Sequence, residues 1–384
     1  MNRAKTTKAR STPKLIKPDW SNSILNISAT LAEFLGAPND NATLQVLKDE
    51  LGKGYKNVVY MCFDGMGINP LEINLAEDDF LRTHVVATLT STFPSTTTNA
   101  TTALATNKYP LEHGWLGWSL HFDELGRNVD IYLKRDSQTG EEVDFEYPLI
   151  DDGDCYFYHA TRSDYQISTV FPHYVTCKPE YNHVIRGVED FFETVRDICN
   201  QQGKQFVYAY CPEPDYSMHE NGVTSDVAKQ LLQRISNELQ QLCSQTRDTL
   251  FIVSADHGQV DVEGYVNIED DEELNSMLEC PLYLDSRSPA FKVKRGKKRA
   301  FAKLFREHYG QDFVLFRTSD LIKQGVFGPR GEYGYLLGDF VASGTYTNKM
   351  FIVPKADVHY HKGHHTAMTR EMLVPLILLN TRDI

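Results

Sequence analysis

Ser254-Ala255-Asp256-His257-Gly258 follows directly on the apolar run Leu250-Phe251-Ile252-Val253. A short continuous run of β-branched and aromatic residues reads as a buried strand. This one ends in a carboxylate beside an imidazole. In open α/β sheets, ligands bind outside the carboxyl ends of the strands. Carboxylate oxygen and neutral imidazole nitrogen both suit zinc. A plain strand-end turn could look the same, so the pair gains meaning only from partners elsewhere.

Three further clusters share its context. Asp64 closes the strand-like run Asn57 to Phe63. Asp215 and His219 follow the run ending at Cys211. Their spacing puts both side chains on one face of a helical turn. Near the C-terminus, His359, His361, His364 and His365 crowd into one segment ahead of the apolar stretch Met372 to Leu379. Each cluster alone reads equally well as surface or capping residues. Together they offer two zinc-sized donor sets.

The segment Phe93-Pro94-Ser95-Thr96-Thr97-Thr98-Asn99 supplies hydroxyls. A threonine hydroxyl is a poor nucleophile until metal coordination activates it. A helix N-terminus behind it favours the charge of a phosphoryl group. Two ions about 3.5–4 Å apart can hold the attacking and leaving oxygens of an in-line displacement. The competing reading is that the threonines only cap a helix.

The elements that must position these groups alternate. Helical spacing runs from Asn22 toward Leu51 with a stop at Gly36, and strands are expected at 57–63 and 84–89. A helix is expected from Ala100 to Thr106, and strands at 166–170 and 205–211. Helices are expected at 184–201 and 223–245. Such alternation implies an α/β fold with a mostly parallel central sheet and helices on both faces. Residues 119–147 read as an inserted hairpin and 261–355 as an insertion or cap. Residues 22–384 are expected to form one catalytic domain behind a disordered basic tail, 1–21.

The 384 residues, 24% charged and 41% hydrophobic, suit a globular chain with a sizeable core. A net charge of −13 argues against a nucleic-acid polymer as partner. The basic run Lys292 to Arg299 is a local exception, expected to be a solvated loop or hairpin. No apolar stretch approaches the ~18 residues of a membrane span. The N-terminus lacks the apolar stretch of a secretory signal. The seven cysteines are odd in number and show no CxxC spacing. A reduced, cytoplasmic protein is the expectation.

Taken in order, the motifs resemble the type I phosphodiesterase/nucleotide pyrophosphatase family of the alkaline phosphatase superfamily. The matching stretches are Phe63-Asp64-Gly65-Met66-Gly67, Phe93 to Thr97 running on to Tyr109-Pro110-Leu111-Glu112-His113-Gly114, Glu213-Pro214-Asp215 with His219, Ser254 to Gly258, and Gly363-His364-His365. The resemblance implies that Asp64, Asp256 and His257 bind one divalent metal together with the nucleophile. Asp215, His219 and a C-terminal histidine bind a second. The ions are expected to be Zn2+, with Mn2+ as the alternative. The nucleophile is the second threonine of Pro94-Ser95-Thr96-Thr97, and counting back from Ala105-Thr106-Asn107 also gives Thr97. Thr96 and Thr98 stay open. The family's Gly-x-His spacing selects His365, while counting back from Glu371 to Pro375 allows His364.

Two departures stand out. Where the family has a phosphate-contacting Asn, this chain has Ala100, and Asn99 is the nearest substitute as a substrate-binding residue. Asn107 replaces a Gly at a helix end that Asn also tolerates. The implied activity is a two-metal hydrolase of small phosphate esters, a phosphodiesterase or nucleotide pyrophosphatase, acting through a phospho-threonine intermediate. The alternatives are a phosphomonoesterase or mutase-like enzyme, a phosphonate or sulfate ester hydrolase, and a non-catalytic metal- or nucleotide-binding protein. A sulfatase would carry Cys or Ser at the nucleophile position, which the threonine run disfavours.

Overall fold

The computed structural model describes residues 14–145, 154–175, 178, 180–352 and 360–383. Seven strands form the central sheet: β1 (Asn57–Phe63), β2 (Val85–Thr90), β3 (Tyr165–Pro172), β4 (Asn182–Ile185), β5 (Lys204–Cys211), β6 (Thr249–Ser254) and β7 (Leu373–Asn380). Their spatial order is β2-β7-β6-β1-β5-β3-β4. All pairings are parallel except those of β7, which runs antiparallel to both β2 and β6. Every residue of β1 and β6 is buried, as continuous apolar runs require when both sheet faces are covered.

The main helices are α1 (Ile24–Leu35), α2 (Thr97–Thr106), α3 (Val188–Cys199), α4 (Asp215–Asn221), α5 (Asp226–Gln245) and α6 (Lys298–Tyr309). Helix α1 packs on α2 in one layer, and α3 packs on α5 in another. Leu232, Ile235, Leu239 and Leu242 of α5 lie at three- and four-residue spacing and bury one stripe. Both layers join one apolar core with the sheet.

A second core lies beyond the sheet. Phe291, Phe301, Phe305, Phe313, Phe340 and Phe351 cluster between α6 and a small antiparallel sheet of 290–291, 313–317 and 340–344. Ser119–Phe122, Arg127–Asp130 and Arg135–Asp136 form a separate antiparallel sheet, with a bridge between Ser119 and Leu284.

The structure departs from the expected elements in four places. The expected helix from Val184 is preceded by edge strand β4, which ends at Ile185; the helix starts at Val188. Helix α2 starts at Thr97 rather than Ala100, so the threonine run is its first turn. The basic run is not all loop, since Lys298 and Arg299 open α6. Burial of Phe301, Ala302 and Phe305 along one helical face favours that earlier start. Residues 14–21, assigned above to a disordered tail, are held in place. Ile16 N donates to Met368 O at 2.8 Å, and Trp20 Nε1 donates to Gly325 O at 2.6 Å. The Trp20 ring also meets Tyr109 edge-on at 5.0 Å. Residues 1–13 of that tail and His359 lie outside the described residues.

Candidate active site

Strand order brings the polar clusters together. β6, β1 and β5 are parallel neighbours, so Asp256-His257, Asp64 and Asp215 emerge side by side at one edge. β2 runs the same way as β6 and delivers the Thr97 segment to that edge. β7 runs in the opposite sense, so its beginning lies there, and the chain leading into it carries His365. A close backbone approach makes the crowding possible. A Cβ on Gly67 would stand 2.4 Å from Gly258 Cα and 2.7 Å from Leu373 O. Gly65 takes a left-handed turn, φ +71°, and its N–H donates to Asp256 Oδ1 at 3.1 Å.

Thr97 Oγ1 lies 3.3 Å from Asp64 Oδ2 and 3.3 Å from His257 Nε2. His257 Nε2 is 3.3 Å from Asp64 Oδ1 and 3.4 Å from Asp256 Oδ2. One potential donor group comprises Asp64, Asp256 and His257; the other comprises Asp215, His257 and His365. His257 thus borders both. His219 Nε2 joins the second group, 3.3 Å from Asp215 Oδ2 and 3.3 Å from His365 Nε2. His365 stacks on His257 with ring centres 3.8 Å apart. His364 points elsewhere: its Nε2 is 3.8 Å from Asp285 Oδ1. Asn99 is fully buried, and its amide donates to Pro94 O at 3.0 Å. That contact braces the threonine loop from beneath.

The electrostatics are those of crowded carboxylates. Burial pushes Asp64 well above the usual carboxylate range, and Asp256 and Asp215 add to the push. Burial, then Asp215, raises Asp256 to about 7. Burial also acts to raise Asp215, but His219 beside it outweighs this and holds the carboxyl below its usual value. Burial and the His257 ring keep His365 well below the usual imidazole range, hence neutral. A neutral imidazole is the metal-binding form. Asp256 Oδ2 is buried with no hydrogen-bond partner. Three buried carboxylates, the neutral His365 imidazole and an orphaned carboxylate oxygen suit divalent cations.

Several supporting residues carry no sequence signal of their own. Tyr210 O–H donates to Asp64 Oδ2, and Gln259 Nε2 donates to Asp215 Oδ1. The segment Asp285 to Ser288 also meets the cluster's loops. Asp285 Oδ2 accepts from Thr96 Oγ1 at 3.2 Å, and Ser288 Oγ donates to Thr366 O at 2.7 Å. Arg287 is fully buried and pairs with buried Glu371 at 2.9 Å. Glu371 in turn accepts from Ala367 N at 3.2 Å and from Gly258 N, through its backbone oxygen, at 2.7 Å. One buried ion pair therefore braces the turns that follow both His257 and His365.

The family model for type I phosphodiesterase/nucleotide pyrophosphatase matches residues 58–365. The chain belongs to this family. As a member, it shares its fold with murine ectonucleotide pyrophosphatase/phosphodiesterase 5, solved as an inactive threonine-to-alanine variant in complex with AMP. That match has 15% identity and a TM-score of 0.58, covering 84% of this chain and 87% of the murine one. Human ectonucleotide pyrophosphatase/phosphodiesterase 5 gives 13% identity and a TM-score of 0.61, covering 84% and 87%. Phosphonoacetate hydrolase from Sinorhizobium meliloti, in complex with phosphonoformate, gives 14% and 0.60, covering 83% and 89%. A search of curated proteins finds no match. Among the described residues, no helix is long and apolar enough to cross a membrane.

Proposed function

We propose that this family member hydrolyses phosphate esters, phosphodiesters above all, with Thr97 as nucleophile. The observation that carries the reading is the position of Thr97 Oγ1. It lies within 3.3 Å of both Asp64 and His257, at the first residue of α2. The inactive threonine-to-alanine variant of the murine neighbour is in keeping with it.

Asp64, Asp256 and His257 are suited to hold one divalent ion, and Asp215, His219 and His365 a second. Zinc is our first choice and manganese the alternative. Such ions lower the pKa of a coordinated hydroxyl and neutralise phosphoryl oxygens. Thr97 Oγ1 gives up its proton toward Asp64 Oδ2 and attacks phosphorus in line. A bond forms from Thr97 Oγ1 to phosphorus, and the bond to the leaving oxygen breaks with its electron pair. The N–H groups of the first turn of α2 face the phosphoryl charge. Water then attacks the same phosphorus, the bond from phosphorus to Thr97 Oγ1 breaks, Thr97 Oγ1 takes back the proton held at Asp64, and the water's proton leaves to solvent.

The Asn99 amide is held by Pro94 O and Ala100 has no polar group, so neither supplies the family's phosphate contact. Within the expected cap, we assign leaving-group selection to Asp285–Ser288, whose Asp285 Oδ2 accepts from Thr96 Oγ1 at 3.2 Å. Purified Thr97→Ala is expected to keep two equivalents of metal and to lose turnover of bis-p-nitrophenyl phosphate. Full activity in that variant overturns the assignment. Comparing p-nitrophenyl phosphate with its diester separates a monoesterase from a phosphodiesterase.

A further inference from the structure

The proposed reaction leaves the basic run unused. Its C-terminal end forms a wall of an open groove of about 1440 Å³, together with the rest of α6 and residues 317–319. Five cations line the groove: Lys298, Arg299, Lys303, Arg306 and Arg317. All five are exposed. Two carboxylates, Glu307 and Asp339, also line it. Asp339 is taken by Lys298, and Glu307 lies 3.6 Å from Lys303. Among the described residues, Arg299, Arg306 and Arg317 have no carboxylate partner. Arg306 donates only to Ala302 O of its own helix, at 3.1 Å.

This placement works against the helix. The first turn of α6 holds no acidic residue and begins on Lys297, Lys298 and Arg299. Cations at a helix N-terminus oppose its dipole. The concentration also stands out on a chain of net charge −13. Helix stability therefore does not account for it.

We propose that this groove binds a chain of phosphates. Arg299, Lys303 and Arg306 follow one another on a single helical face, about 5–6 Å apart. A row of cations fits successive phosphates better than one isolated anion. Arginine forks suit phosphate oxygens, and here they are not already occupied by carboxylates. Among the described residues, the only aromatic one lining the groove is Phe340, which is buried. No exposed ring is offered for stacking bases, so recognition rests on the phosphates alone. None of the lining residues belongs to the carboxylate–imidazole cluster, so the groove is a binding site separate from it.

The test uses the full chain and fluorescein-labelled inorganic polyphosphate, followed by anisotropy at rising KCl. Binding is expected, with its logarithm falling linearly with the logarithm of salt. The triple variant Arg299→Glu/Arg306→Glu/Arg317→Glu is expected to weaken binding roughly 100-fold or more. Its turnover of bis-p-nitrophenyl phosphate is expected to stay at the unmodified level, which also reports intact folding. The milder Arg299→Gln/Arg317→Gln is expected to show a smaller loss in the same direction. Unlabelled oligothymidylate competing as well as polyphosphate supports the shared phosphate-chain chemistry and points to a nucleic-acid backbone as its source. Failure of oligothymidylate to compete supports polyphosphate itself. Unchanged binding in both arginine variants overturns the proposal. So does orthophosphate competing as strongly as the chain, or loss of binding in Asp256→Asn with the arginines intact.

Discussion

Asp256 is fully buried beside other carboxylates, and its pKa is raised to about 7. An acid raised on folding binds more protons in the native state than in the unfolded chain. Its stability contribution is therefore complete below its unfolded value, near 3.8, and is lost as pH climbs through about 7. Protein stripped with a chelator is expected to show a falling Tm between about pH 5 and pH 8, and added divalent cation is expected to reverse most of that fall at the upper end. A Tm that rises over that interval in the stripped protein contradicts this account of Asp256. Thr97→Ser keeps a hydroxyl at the same place and is expected to retain measurable turnover where Thr97→Ala retains none. Asp64 and Asp256 could be read from sequence because each closes an apolar run at a strand end. The choice between His364 and His365 could not, since adjacent residues differ only in direction, and direction is set by the fold. Tyr210, Gln259 and Asp285 reach the cluster through tertiary contacts that leave no local pattern.

At the scale of elements, two glycines set how closely the loops after β1 and β6 approach. A Cβ on Gly67 would overlap Gly258 Cα at 2.4 Å, and backbone cannot rotate away as a side chain can. Gly67→Ala is therefore expected to cost about 1–3 kcal/mol in denaturant unfolding, with weakened metal retention. Gly126→Ala is a control with an open side, since a Cβ there meets nothing within 4 Å, though its φ of +61° still strains an alanine. Gly67 has φ −70°, which alanine adopts freely, so a Gly67→Ala chain as stable as the unmodified one contradicts the overlap. The central strands were legible because burial on both faces demands unbroken apolar runs. Strand β4 was not, because it is an edge strand with His183 and Val184 exposed. Its few residues merge into the periodicity of α3. The early start of α2 was hidden by β-branched threonines, whose weak helix preference is overridden by tertiary contacts.

At the scale of the molecule, Arg287 and Glu371 join the region around residues 285–352 to the sheet through a pair with no solvent exposure. Removing one member leaves a buried charge unpaired. Arg287→Ala is expected to lose about 3–5 kcal/mol of stability by chemical denaturation, and Arg287→Met/Glu371→Met to recover a large part of it. Two variants of equal stability would show that the pair carries little. This connection was not legible in the sequence, because a lone Arg and a lone Glu 84 residues apart carry no motif. The reversed direction of β7 has a further consequence, for the order of synthesis. Five of the six proposed donors, Asp64 to His257, leave the ribosome well before the sixth. His365 enters only as the last strand arrives to pair with β2 and β6. A nascent chain therefore carries five of the six proposed donors without the last, and completing the sheet and completing the donor set become a single late event.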